Sequence, residues 1–292
     1  MKNKTKKQTI ELAPQKMKAM QAALKPVMKQ LGLQPLLTEF SITAAKNGQI
    51  AIEFQQRKSN FTAAEVETAI FFGKFPRGMS CLDLAVFLAN TCRRKNETAL
   101  HLALSRGLLP PKTTLQVLLE TFGLDKRRAI YALFDDYQLK PRYPADLTAA
   151  DLAKVRSTDN GSLLHTAAIR GAYPRGTTVQ DLLLPRDKFG MTPLHRAAQS
   201  GHLPPCTENL LKSVTNVEGR SPWWFAGDKL NKSYDPEATV RNILACPELA
   251  QRLRLERKWH REILNQVLTS PGLTPEIRTK LAAFPQVCAA LL

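Results

Sequence analysis

Histidine recurs in this chain at one local position: His101 closes Thr-Ala-Leu-His, His165 closes Ser-Leu-Leu-His, and His195 closes Thr-Pro-Leu-His. Recurring histidines can ligate a metal, but zinc needs its ligands to converge within ~2.0–2.1 Å of one point. Units stacked like neighbouring helices place equivalent atoms ~10 Å apart. In two further units the slot reads as Asp135 and Trp224, which a shared metal site would not tolerate. The histidines are therefore expected to be structural. Asp135-Asp136 is a paired carboxylate, yet adjacent helical residues point ~100° apart and do not face each other. No G-x-S-x-G elbow, P-loop lysine motif or H-E-x-x-H occurs. The five cysteines are scattered with no C-x-x-C pair, the pattern of free thiols. No catalytic residue, cofactor or metal is expected. The aromatic run Trp223-Trp224-Phe225 has two readings: Trp223 packing inside the fold, or Trp224 and Phe225 serving as binding anchors.

The elements that position these residues are copies of one another. Glu97–Gly107, Gly161–Gly171 and Met191–His202 are near-repeats, with a weaker copy at Ser41–Gln49. Leu100, Leu164, Leu194 and Trp223 occupy one slot, and the last two intervals are 30 and 29 residues. The first interval of 64 implies a hidden unit, with Phe134 in its slot ten residues before Pro144. Gly-x-(Leu/Tyr/Phe)-Pro follows at Gly107–Pro110, Gly171–Pro174 and Gly201–Pro204. It also occurs at Gly73–Pro76, which adds a degenerate unit over Phe61–Lys95 with Val66 in the slot. The best copy shows why this sequence folds locally. Thr192 can cap a helix, and Pro193 suits its first position. Leu194, Ala197 and Ala198 make one narrow apolar face, and Gly201 ends the helix. Leu203-Pro204-Pro205 turns the chain into a second short helix containing Leu210-Leu211. Asp187–Gly190 and Asn216–Gly219 are turn-forming strings between units.

Turn, T-P-L-H-x-A-A-x-x-G-H and second helix together resemble the ankyrin repeat, whose usual period is ~33 residues. The resemblance spans residues 38–249 and is strongest around Leu100, Leu164 and Leu194. The shortened units, with Leu-Pro opening the second helix, resemble ankyrin arrays of bacterial proteins. It implies an all-α solenoid of six or seven helix-turn-helix units with helical caps at both ends. The expected divisions are a basic flexible tail at 1–13, an N-terminal capping helix at 14–37, the repeats, and a C-terminal helical cap at 250–292. It also implies histidines that hydrogen-bond turn backbone, and non-catalytic recognition of a protein partner through a groove of turn tips and first-helix residues. The candidate contacts are Lys188, Phe189, Met191, Arg196 and Gln199 in the best unit. One unit earlier they are Thr158, Asn160, Thr166 and Ile169, and one unit later Arg220 and Phe225.

Net charge is +17, with eight lysines against Glu11 in the first thirty residues and basic clusters at Arg93–Lys95, Lys126–Arg128 and Arg252–Arg261. Such a field favours acidic partners, so an acidic protein surface is expected. The alternative is a nucleic-acid or anionic-membrane binder using the tail and the arginine clusters. In Gln15–Leu31, Met17, Met20, Leu24, Val27, Met28 and Leu31 recur at helical spacing, interrupted by Pro26. No apolar run approaches the ~18 residues of a membrane span, and no apolar block follows the basic start as in a secretory signal. A cytoplasmic monomer is the expectation.

Overall fold

A computed structural model describes residues 8–9, 13–31, 33–44, 50–88, 96–156 and 161–227, and then Ala238, Arg241, Asn242, Ala245, Cys246 and Leu249. Thr158, Asn160, the Arg93–Lys95 cluster and the 250–292 segment lie outside the described residues, as does most of the basic tail. The described residues fall into two compact units, Met1–Asp146 and Leu147–Leu292.

The first unit begins with strand β1 (Gln8–Thr9), helix α1 (Pro14–Gln30), strand β2 (Thr38–Ala44) and strand β3 (Ile50–Gln56). The strands form an antiparallel sheet in the order β1-β2-β3, with Phe40 opposite Phe54 and Ile42 opposite Ile52. This corrects the all-α expectation, and it corrects the reading of Ser41–Gln49 as a repeat copy. The period in β2 and β3 is two: Phe40 and Ile42 alternate with Glu39, Ser41 and Thr43, and Ile52 and Phe54 alternate with Glu53 and Gln55. Two such runs flanking Asn47-Gly48 carry a strong hairpin signal. In α1, Met28 is buried and Lys25 pairs with Glu120 at 3.2 Å.

Helix pairs follow. In the first unit they are α2 (Ala63–Phe72) with α3 (Cys81–Val86), and α4 (Ala99–Ser105) with α5 (Leu115–Glu120), then a 3₁₀ segment at Ala129–Phe134. The second unit holds α6 (Ala149–Lys154), α7 (Leu163–Arg170), a 3₁₀ segment at Gln180–Leu183, α8 (Pro193–Ser200), α9 (Glu208–Lys212) and α10 (Pro222–Gly227). Among the described residues no helix is long and apolar enough to cross a membrane. Within the first unit α4 packs against α2 and the 129–134 segment; within the second, α8 packs between α7 and α10. Leu100, Leu164 and Leu194 are fully enclosed between these helices, with alanines at 103, 167 and 197. Alanine there permits close helix approach while the leucine fills the interior.

A 3₁₀ segment stands where the hidden unit is expected, and its register is one helical turn from the expected one. Isolated bridges pair Leu88 with Thr98, Phe122 with Arg128 and Arg156 with Ser162, so Arg128 stands where the other units place a Thr or Ser cap. Ile130, fully buried, therefore fills the leucine slot in place of Phe134, and Tyr131, not Asp135, takes the histidine position. Arg128 cannot cap as Thr does, and a 3₁₀ turn replaces the α-helix. Val66, by contrast, is buried at the expected distance before the left-handed terminal Gly73.

Candidate functional site

Among the described residues the chain makes a five-residue finger at three junctions between successive helices, and its hydrogen bonds repeat. The first residue's N–H donates to the carbonyl of the fifth in Gly123–Arg127, Asp187–Met191 and Asn216–Arg220, each at 2.9 Å. The fourth residue has positive φ: Gly190 at 69°, Gly219 at 72°, and Lys126 at 62°. Asp187 Oδ1 accepts from the amides of Phe189 and Met191, both at 2.9 Å. Asn216 Oδ1 does the same for Glu218 at 3.0 Å and Arg220 at 2.8 Å. These Asx turns hold the finger independently of any strand partner.

Each histidine joins its own helix to the next finger. Nδ1 of His101, His165 and His195 accepts from the backbone N–H of Thr98, Ser162 and Thr192, at 3.3, 3.0 and 3.0 Å. Nε2 then bonds the carbonyls of Arg127, Met191 and Arg220 at 3.0, 3.0 and 3.1 Å. An acceptor at Nδ1 and a carbonyl at Nε2 assign the neutral tautomer protonated on Nε2. Burial is the main cause of a lowered pKa in all three rings, and it takes His195 to about 4. The structural reading of the histidines holds: both ring nitrogens are committed to backbone, which leaves neither for a metal.

The expected contact residues separate into two sets. Lys188 and Phe189 project from the finger tip; Phe189 is 49 % exposed and the Lys188 ammonium lies 4.9 Å from its ring centroid. Ile169 is exposed on α7, and Thr166 is half-buried there. Met191 is different: its side chain is buried and its carbonyl receives the His165 bond, so it belongs to the framework. Arg196, half-buried on α8, pairs with Asp187 at 2.8 Å and bonds Gln199 at 3.5 Å. Burial disfavours the Asp187 carboxylate, but hydrogen bonds from Arg196 and the two finger amides outweigh it and hold its pKa below the ordinary value. Arg220 stacks on Trp224 at 4.3 Å and pairs with Glu218 at 2.9 Å. Phe225 sets its ring edge against His195, with centroids 5.8 Å apart, and Trp223 is buried.

Three residues lie outside the expected contact set. Val217, 73 % exposed, is the counterpart of Lys188, and its N–H donates to the Phe189 carbonyl at 3.1 Å, bringing two adjacent fingers together. Leu124 is the exposed equivalent in the first unit. Asp187 organises its finger. Aligning the fingers on their first residue would have found all three.

The ankyrin-repeat family model matches residues 189–221, from the exposed finger phenylalanine through α8, α9 and the next finger. Residues 189–221 are an ankyrin repeat. No curated protein and no solved structure matches the chain. Ankyrin repeats generally mediate protein–protein interaction and are typically non-catalytic. The Thr-Pro-Leu-His element inside the matched stretch is the element whose histidine joins α8 to the following finger.

Proposed function

We propose that this protein is a non-catalytic recognition scaffold, an ankyrin solenoid of about six units that binds an acidic protein surface through finger tips and first-helix residues. The observation that carries this reading is the pairing of exposed apolar and basic groups on two adjoining fingers. Phe189 and Val217 stand out from a tightly hydrogen-bonded framework, with Lys188 over the Phe189 ring. An aromatic anchor beside a cation, on a rigid turn, loses little conformational freedom on binding. The wider charge of +17 steers an acidic partner towards it. Gln199, Thr166, Ile169, Arg220 and Phe225 extend the candidate surface. Arg196 contributes through its pairing with Asp187, which holds the finger in place, and Met191 has no part in the contact.

The test is an affinity capture from the native host, read by mass spectrometry at two salt concentrations, with wild type, Phe189→Ala and Lys188→Glu compared. Loss of one protein partner in both variants supports the reading. Unchanged capture by both variants refutes it. Capture dominated by nucleic acid or anionic lipid, falling log-linearly with salt, points instead to the basic tail and arginine clusters.

A further inference from the structure

Helix α2 carries the most exposed aromatic pair among the described residues. Phe71 and Phe72 are 74 % and 67 % exposed and touch edge to face, with centroids 5.1 Å apart. The helix is already fully used on its other side, where Val66, Ala69 and Ile70 are buried. At ~100° per residue, the outward stripe is Ala64, Thr68 and Phe71, at i, i+4 and i+7. Two shallow grooves run beside it. One, of about 490 Å³, is lined by Ala64, Thr68, Phe72, Lys74 and Pro76; the other, of about 280 Å³, lies between Phe71, Thr68, Leu102 and Arg106. Paired phenylalanines left in water beside apolar grooves mark an interaction surface.

We infer that the occupant is a second copy of this chain, docked through α2 about a twofold axis. The surface is complementary to itself in charge and in shape. The amino-terminal half of α2 carries Glu65 and Glu67, while Lys74 and Arg106 border its carboxy-terminal end. Two such helices laid antiparallel set the acids of each against the bases of the other, and their macrodipoles oppose favourably. The same operation places the large Phe71 of one copy over the small Ala64 and Thr68 of its mate, because a twofold axis exchanges the two ends of the stripe. The contact is an island with two acids and two bases on a chain of net charge +17, so it is a place where another equally basic molecule can approach. The remaining positive charge opposes association at long range, which makes salt a helper here. This surface replaces the expected monomer, and it is independent of the partner proposed for the fingers.

Sedimentation velocity on the full chain tests it, across a concentration series at about 0.05 and 0.5 M salt, where the Debye length shrinks from beyond 10 Å to a few ångströms. The expected result is a reversible dimer that tightens with salt. Phe71→Ser with Phe72→Ser should weaken it at least tenfold, with circular dichroism and melting temperature unchanged because both rings are exposed. Glu67→Lys and Arg106→Glu, both beside the second groove and outside the Thr62–Glu65 cap of the helix, should each weaken it, and the two together should restore it. A chain that stays monomeric up to about 100 µM overturns the proposal. So does a dimer indifferent to the double Phe substitution, or, should that variant fail to fold, one indifferent to both charge reversals.

Discussion

The histidine seam makes stability depend on pH in a way the geometry quantifies. The His195 ring is fully buried, its Nδ1 faces the Thr192 N–H at 3.0 Å, and its Nε2 is 3.1 Å from the Arg220 carbonyl. Adding a proton at Nδ1 would point one N–H at another and bury a charge, which is why the folded ring titrates only at about 4 against an unfolded value of ~6.5. Below the unfolded value the unfolded chain takes up a proton that the folded chain refuses. Stability is therefore complete above about pH 6.5, falls as pH drops towards the folded value, and levels off beneath it. From the two pKa values, His195 alone contributes a loss of about 2 kcal/mol between about pH 7.5 and 5, and on the order of 3 kcal/mol by pH 4. His101 and His165 shift in the same direction and add to it. The assay is urea unfolding at the two pH values, followed by Trp223 and Trp224 fluorescence in a Trp259→Phe background, because α10 carries both reporters beside His195. His195→Gln keeps a donor and an acceptor but has no proton to gain, so its loss between the two pH values should be smaller than that of the parent by about 2 kcal/mol. Equal losses in parent and variant would refute the reasoning.

Further substitutions probe the finger and its supports. Asp187→Ala removes the acceptor for two amides and the partner of half-buried Arg196, and should cost about 2–4 kcal/mol in chemical denaturation. Lys126 holds the left-handed position that glycine fills in the other two fingers, so Lys126→Gly should gain about 0.5–1 kcal/mol, visible as a raised melting temperature. At Gly201, φ is 72° and an added Cβ would collide with Ala238 backbone, so Gly201→Ala should lose at least about 2 kcal/mol where Gly176→Ala, with open space around it, loses only the cost of its φ. Leu194→Ala, at a fully enclosed slot between α7 and α10, should cost about 3–5 kcal/mol by calorimetry.

The parts legible in the sequence were those encoded within one turn of helix or one tight turn. Thr192, Pro193, His195 and Gly201 each act on backbone a few residues away, and the terminal glycines and buried leucines stand where their spacing puts them. Where sequence and structure differ, the deciding contact is missing from the local pattern. Around residue 130 the local signature is missing, because Arg128 and Tyr131 replace the usual cap and histidine, so counting back from Pro144 set the slot one turn late at Phe134. Ser41–Gln49 has the repeat's small residues, but the period-two alternation on both sides of Asn47-Gly48 decides in favour of a hairpin. Met191 varies between copies like a contact residue, yet its neighbour across the stack, His165, draws it into the framework. Asp187 shows the reverse: its turn role is local and open to alignment of the fingers, but its pairing with Arg196 in the following helix appears only in the folded chain.

The fingers as a protein-binding surface can be probed at a single residue. A photo-crosslinking phenylalanine analogue placed at Phe189, activated in the native host and read by mass spectrometry, reports what touches the finger tip. The account predicts one dominant protein adduct with an acidic contact surface, reproduced from Val217 and abolished by Lys188→Glu. Nucleic-acid or lipid adducts at position 189, or no adduct there while a probe at Lys16 on α1 captures the partner, would contradict it.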